Sequence, residues 1–463
     1  MSDQRPVVIV SNRGPLSFSI DDGGELVTKR GGGGLVSALG PAVADTGATW
    51  IAGALSEADR RAAEQGVVEA EGFRLRSLVL DPDDYAAYYD VISNGTLWFV
   101  HHGLYDIARR PRFDRRWREA WDRYRDVNRA FAAEVADAAP DSAVVVVHDY
   151  HLSLVGAALT ESRPDLTAVH FTHTPFCGPD GARILPAEVA TELLSGMAAF
   201  TACGFHARKW ADAFDASCAS LGIACPPAFV APAAVDPEEI RAVAESDACE
   251  SALAELDAEV GDRMLLVRVD RIELSKNILR GFLAFDDLLR EYPQWRERVV
   301  FGAFVYPSRE GLAEYLAYRQ EVEGVIRRVN ETWATGSWTP ILYDPSDDFP
   351  RSVAALRRYD ALLVNPVRDG LNLVAKEGPL VNERDGVLAL SRESGVWDEL
   401  GEDALEVNPF DVAGTADVLH RALSMPAGER ATHAARLRER AEARTPKTWW
   451  AEQLAAAGEP PSG

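Results

Sequence analysis

Two doubly wound α/β domains are what this sequence predicts, and three observations predict them. Short runs rich in Val, Leu, Ile and Ala recur along the chain with little polar alternation, as strands buried on both faces of a parallel sheet do. Longer segments with helical spacing separate them, the βαβ pattern of a parallel sheet covered by helices. The runs also fall into two groups, one before about residue 230 and one after about residue 260. The 463 residues suffice for two such domains, each with its own core.

In chain order, Val7–Ser11 is the first strand. A polar, hairpin-like excursion follows, then Gly31-Gly32-Gly33-Gly34 opening a helix from Leu35. Phe113–Ala138 has helical spacing, and Ala143–His148 and Ala168–His173 are the next strands. Pro226-Pro227, Pro232 and Pro237 punctuate the gap, and an acidic stretch from Glu238 to Asp262 follows it. The second group comprises Met264–Arg271, Val299–Val305, Ala361–Asn365 and Val387–Ser391, with a helix over Ile278–Tyr292. This places one domain over residues 1–235 and another over 236–444. In the tail, Thr445 reads as an N-cap and Pro446 as the first helical residue. Trp449 and Trp450 need a surface, so residues 445–457 are expected to pack back on the first domain. Glu459–Gly463 reads as a disordered end.

Composition narrows the function. With 48 Lys+Arg against 72 Asp+Glu the net charge is −24, which argues against broad binding to nucleic acid or anionic membrane. Small anionic substrates need only a few local cations and stay open. The five cysteines include no CxxC pair and their odd number closes no disulfide framework. No stretch approaches the roughly 18 apolar residues of a membrane span, and the start does not read as a signal peptide. A cytoplasmic protein is expected; oligomeric state is not readable, and a homo-oligomer is allowed for.

Ligands of open α/β sheets bind outside the carboxyl ends of the strands, so the polar residues there are the candidates. Ser11-Asn12-Arg13 ends the first strand, and the glycine run beyond it is either a flexible turn or an anion-approaching loop at a helix N-terminus. It contains neither a P-loop nor a GxGxxG fingerprint. His148-Asp149-Tyr150-His151 and His173-Thr174-Pro175 end two strands. Without HExxH or a matching carboxylate cluster, hydrogen bonding to sugar hydroxyls is the more natural use than metal ligation. Arg271 and Lys276 flank a strand-to-helix turn, suited to a pyrophosphate or else simply a solvated basic turn. Asp369-Gly370 can expose amides at a helix start, and Glu377 beyond it can accept from a ribose diol or serve as a surface ion-pair partner.

In combination, Ser11-Asn12-Arg13, the glycine loop, YYDxxSNxxLW (Tyr88–Trp98), HDYHL (His148–Leu152), HTPF (His173–Phe176), RxExSK (Arg271–Lys276) and RDGxNLVAKE (Arg368–Glu377) resemble the trehalose-6-phosphate synthases. These are retaining GT-B glucosyltransferases of glycosyltransferase family 20, with two Rossmann-like domains facing across a cleft. The resemblance runs from Ser11 to Asp411 and is nearest the actinobacterial branch, where Ser-Lys-Asn replaces Ser-Lys-Gly.

The resemblance implies transfer of glucose from a nucleotide diphosphate to glucose-6-phosphate with retention, needing no cofactor and no metal. It implies reacting groups Arg271, Lys276, His173 and Asp149. It implies a donor site of Gly33, Gly34, His173, Arg271, Lys276, Asp369, Gly370, Leu371, Asn372 and Glu377. It implies an acceptor site of Arg13, Trp50, Tyr89, Trp98, Asp149 and Arg309. The spacings match the family: 24 from Asp149 to His173, five from Arg271 to Lys276, 33 from Lys276 to Arg309, and eight from Asp369 to Glu377.

The departures are Glu273 for the usual Asp, Asn277 for Gly, Gly14 for a frequent Leu, Cys177-Gly178 after HTPF, and Ser394-Gly395-Val396-Trp397 for Ala-Gly-Ala-Ala. Gly378-Pro379 is expected to end the helix soon after Glu377. UDP-, GDP- and ADP-glucose all remain open as donors, with the actinobacterial resemblance tilting towards GDP-glucose. Two rivals share the scaffold: a validamycin-type pseudo-glycosyltransferase and a catalytically silent sugar-phosphate sensor. The acceptor-phosphate set Arg13, Tyr89 and Arg309 opposes the first, and the complete donor half opposes the second.

Overall fold

In the computed structural model, which describes residues 5–31 and 34–458, the chain forms two compact units. One comprises Met1–Ala233 with Pro446–Gly463, the other Ala234–Thr445. Gly33 of the glycine loop and the Glu459–Gly463 end lie outside the described residues.

The first unit carries strands β1 (Val7–Val10), β2 (Leu16–Ile20), β3 (Leu26–Arg30), β4 (Thr49–Gly53), β5 (Val67–Ala70), β6 (Phe73–Leu78), β7 (Val144–His148), β8 (Thr167–Thr172), β9 (Ala202–Phe205) and β10 (Ala228–Val230). Eight of them form one sheet in the order β10-β9-β8-β7-β1-β4-β6-β5, parallel except for β5 at its edge. The chain steps outward from β1 to β4 and β6, then returns to β7 and steps the other way. The switch point therefore lies between β1 and β7, paired at Val7–Val10 with Val144–Val147. β2 and β3 form the antiparallel excursion read from the sequence.

The second unit carries β11 (Met264–Ile272), β12 (Val299–Pro307), β13 (Ile341–Asp344), β14 (Ala361–Val364), β15 (Val387–Ser391) and β16 (Leu405–Val407). All six are parallel, in the order β13-β12-β11-β14-β15-β16, with the switch point between β11 and β14.

Local sequence explains the elements that position the site. Asp114 accepts from the Trp117 amide and caps the long helix Arg115–Ala138, which the helical spacing opens two residues earlier, at Phe113. The central strands are apolar over Val144–Val147 of β7, Met264–Val267 of β11 and all of β14, as strands covered on both faces are, and β11 turns polar from Arg268 towards its carboxyl end. The helix Pro446–Ala456 packs on the helix Gly34–Val43 and against β7 and β8, placing the buried Trp449 beside Phe171 and His173. One expectation needs correcting. The helix Val374–Val381 does not stop at Gly378-Pro379 but runs through Pro379 to Val381. Proline removes a single intrahelical bond near the end of this short helix, and the Asn382 amide still closes on the Gly378 carbonyl at 3.0 Å. Gly378 also lets the helix sit tightly on β14, since a Cβ there would lie 2.6 Å from Leu362 Cδ2.

Candidate active site

At the switch point of the first unit, Arg13 follows β1 and Asp149 follows β7. Asp149 adopts φ 74°, a left-handed conformation rare outside glycine and costing about 1–3 kcal/mol. Its carboxylate accepts from the His173 backbone amide at 3.2 Å, so the HDYHL and HTPF motifs meet as their spacing implied. His151 Nδ1 lies 3.7 Å from the same carboxylate.

Tyr89 stands on an unusual support, because Ala87–Leu97 winds as a π-helix. Ser93 and Thr96 donate from their hydroxyls to the carbonyls five residues back, Tyr88 and Val91, at 2.8 Å. Gly95 permits the winding, since a Cβ there would lie 2.6 Å from the Asp90 carbonyl oxygen. Such turns concentrate at functional sites. The Tyr89 ring is sandwiched between Tyr85, at 5.3 Å, and His151, at 5.6 Å, both nearly parallel to it. Its hydroxyl accepts from Arg13 at 3.3 Å, which brings two of the expected phosphate binders together. Asn12 steadies the group from beneath, donating to Tyr85 Oη and accepting from Tyr88 Oη.

Trp50 and Trp98, expected on the acceptor sugar, are both buried. Trp50 lies within β4, 1% exposed, with its indole N–H donated to Ser11 Oγ at 2.7 Å. It packs edge-on to Phe73 and braces the turn that presents Arg13. Trp98 is 2% exposed and stacks on His102 at 4.1 Å. Both are buried, as wide indole rings in apolar surroundings gain most from burial.

His173 follows β8, with both ring nitrogens hydrogen-bonded to other histidines: Nε2 to His148 Nδ1 at 3.0 Å and Nδ1 to His206 Nε2 at 3.2 Å. Burial, with His170 nearby, pushes its pKa down to about 3, so the imidazole is neutral. Gly34 begins the helix Gly34–Val43, one residue earlier than read from the sequence.

At the switch point of the second unit, β11 presents Arg271 and Lys276, and β14 presents Asp369 to Glu377. Lys276 Nζ sits 2.6 Å from Asp369 Oδ2 and 4.0 Å from Asp270 Oδ1. Burial alone would lower its pKa, but these carboxylates outweigh it and the ammonium is held charged. The Arg271 guanidinium, half exposed, lies 3.2 Å from the buried Glu273 carboxylate, which holds it firmly protonated. Arg309 stands close enough to oppose that charge, and donates to Tyr315 Oη at 2.6 Å. One face of this unit thus gathers three cations.

The loop that presents Lys276 is fastened from below. Asn277 takes φ 60° in the position where the family usually has Gly, a conformation Asn tolerates. Its side-chain amide donates to the Asn365 and Pro409 carbonyls. The fully buried Arg268 pairs with Asp270 and donates to the Lys276 carbonyl. Gly281 makes room for it, since a Cβ there would lie 2.6 Å from Arg268 Nη1.

Asn372 donates to Asp369 Oδ2 at 3.1 Å and accepts from the Ala375 amide at 3.3 Å, capping the helix that carries Glu377. Gly370 and Leu371 are braced by the Ser394-Gly395 turn, where a Cβ on Gly395 would meet the Gly370 carbonyl at 1.8 Å. Burial raises the Glu377 carboxyl to about 7. Next to it Lys376 is buried in a pair with Glu399 at 2.7 Å, and burial pulls its pKa down despite that partner.

Sequence reasoning missed His206, Tyr315, Arg268 and the Lys376–Glu399 pair. His206 follows β9, whose Ala-Cys-Gly-Phe composition did not register as a strand. Among the described residues no cluster of three His, Cys, Asp or Glu could hold a metal ion.

The family model for glycosyltransferase family 20 matches residues 5–458. A trehalose-6-phosphate synthase of Mycolicibacterium smegmatis is 32% identical, over 98% of this chain and 93% of its own. Among solved structures, the trehalose-6-phosphate protein of E. coli bound with UDP-2-fluoro glucose superposes with a TM-score of 0.86 at 27% identity, covering 99% of this chain and all of that one. A UDP-forming α,α-trehalose-phosphate synthase of Burkholderia xenovorans in complex with glucose-6-phosphate gives 0.84 at 28% identity, covering 98% and 100%.

Proposed function

The chain belongs to glycosyltransferase family 20, and from that premise we propose that it is an α,α-trehalose-6-phosphate synthase. It transfers glucose from a nucleotide diphosphate to the anomeric hydroxyl of glucose-6-phosphate with retention. The observation that carries this reading is Lys276 Nζ at 2.6 Å from Asp369 at the switch point of the second unit, with Arg271 beside it and the Glu377 helix beyond. A diphosphate needs those cations, and a glucosyl group and ribose need those hydrogen-bond acceptors.

Retention by two displacements would need a carboxylate nucleophile beneath the anomeric carbon, and the family resemblance supplies none there. We therefore favour attack on the same face. The bond from the anomeric carbon to the diphosphate oxygen breaks first, leaving a short-lived oxocarbenium–diphosphate pair. The acceptor oxygen then bonds to that carbon, and its proton passes to the departing diphosphate. Arg271, Lys276 and the amides at the Asp369–Asn372 turn stabilise the charge building on the leaving group, and the rest is positioning. Arg13, Tyr89 and Arg309 are the proposed binders of the acceptor phosphate.

The base of the donor is the finer question. The actinobacterial resemblance favours GDP-glucose, whereas the Burkholderia protein is UDP-forming. The test is to incubate the purified protein, with and without chelator, with glucose-6-phosphate and each of UDP-, GDP- and ADP-glucose separately, following nucleotide diphosphate release. Release with one of them that requires glucose-6-phosphate supports the proposal. Release with none, or at the same rate without acceptor, refutes it.

A further inference from the structure

Beneath β7, β8 and β9 of the first unit, three histidine rings stand in a row whose hydrogen bonds can run in only one direction. The Ala233 backbone amide donates to His206 Nδ1 at 3.2 Å. A backbone N–H cannot accept, so this nitrogen carries the lone pair, and a neutral His206 must bear its proton on Nε2. That proton points at His173 Nδ1, 3.2 Å away, which must then be the acceptor. His173 in turn bears its proton on Nε2 and donates to His148 Nδ1 at 3.0 Å. His148 is left with its proton on Nε2, an atom with no hydrogen-bond partner among the described residues. We propose that His206 is a positioning residue: the Ala233 amide fixes its tautomer, and His206 thereby fixes the tautomer and ring orientation of His173.

The surroundings suit such a ladder. All three rings pack on Trp449 from the terminal helix, at centroid separations of 6.4 Å for His148, 5.9 Å for His173 and 6.2 Å for His206. Burial pushes the pKa of His148 well below the ordinary value and that of His173 to about 3. Neither His148 nor His173 is an imidazolium near neutral pH, and a doubly protonated His206 could not accept from the Ala233 amide. His173 is thus presented with Nδ1 engaged from behind and a proton on Nε2. Its consequence for catalysis rests on the proposed function, in which His173 lies beside the donor glucose: the ladder holds the neutral ring there in one tautomer and one orientation.

Labelling the nine histidines with ¹⁵N and recording long-range ¹H–¹⁵N spectra tests the ladder without reference to activity, each ring being assigned by single substitution. The wild-type protein should show His173 with protonated Nε2 and bare Nδ1. His206→Gln should preserve this, because the amide oxygen can accept from Ala233 while its nitrogen donates to His173. His206→Met should release the direction, so that His173 populates both tautomers, and kcat should fall by about 10-fold or more while the Gln variant stays within about threefold. A wild-type His173 protonated on Nδ1, or a Met variant with the tautomer unchanged, would overturn the ladder. A Met variant with mixed tautomers and unimpaired kcat would overturn the positioning role and, with it, the placing of His173 at the donor.

Discussion

Replacing Lys276 by Ala removes one charge from a tight arrangement and should have two separable effects. Lys276 and Asp369 are 14% and 15% exposed, and their charged atoms are 2.6 Å apart. Removing one partner of a well-buried pair costs about 3–5 kcal/mol, and the residual exposure puts this pair at about 3 kcal/mol. For a unit of this size that is a fall in Tm of about 6–12 °C. The effect on chemistry is distinct. If Lys276 stabilises charge that exists only as the diphosphate departs, kcat should fall by about 10²–10³-fold. A double-mutant cycle with Asp369→Asn separates the two. In the Asn background Asp369 is no longer a carboxylate to strand and Asp270 keeps its pair with Arg268, so removing Lys276 should cost little Tm but the same factor in kcat. Thermal melts and steady-state kinetics with saturating glucose-6-phosphate read both quantities. A rise in donor KM with kcat unchanged would mean uniform binding and refute the assigned role. Equal kcat for the Asn variant with and without Lys276 would mean that the lysine merely neutralises Asp369.

Three further outcomes follow from the same geometry. The Glu377 carboxyl is raised from the usual 4.5 to about 7, so the folded protein holds this proton more tightly than the unfolded chain. Its stabilising contribution is therefore full below about pH 4.5 and is lost as pH rises towards 7, and Glu377→Gln should flatten that part of the Tm profile. Because only the carboxylate accepts two hydroxyls well, donor KM should fall as pH rises through about 7 in the wild type and stay flat in the Gln variant. Gly95→Ala places a methyl 2.6 Å from the Asp90 carbonyl and should cost about 1–3 kcal/mol in a melt, while raising KM for glucose-6-phosphate as Tyr89 shifts. Arg13→Ala and Arg309→Ala should each weaken glucose-6-phosphate far more than free glucose in acceptor competition; equal losses for both would remove these residues from the phosphate.

The strands that end in chemistry were legible because they are runs of Val, Leu, Ile and Ala buried on both faces: β1, β7, β8, β11, β12, β14 and β15 each read from composition alone. Strands β4, β9, β10, β13 and β16 were not, being of mixed composition whatever their length, and neither was the antiparallel edge pair β5 and β6. Charged residues at strand ends were legible for the same reason as the strands, since topology confines ligands there. What escaped was whatever depends on a partner distant in sequence. Nothing in the neighbourhood of His206 announces His173, 33 residues earlier, or the Ala233 amide 27 residues later. Trp50 was singled out by the family resemblance alone, and nothing in its neighbourhood announced that its indole N–H would be donated to Ser11 Oγ. Pro379 misled as a helix stop because a proline near a helix end forfeits only one hydrogen bond.

Most direct of all is the stereochemistry of the product. Proton and phosphorus NMR of the disaccharide made from glucose-6-phosphate and the accepted nucleotide-glucose should show two α-configured anomeric centres joined 1,1, with phosphate on one C6. A β-configured centre at the transferred glucose, a different linkage, or free glucose in place of a disaccharide would contradict same-face transfer at the Arg271–Lys276 site.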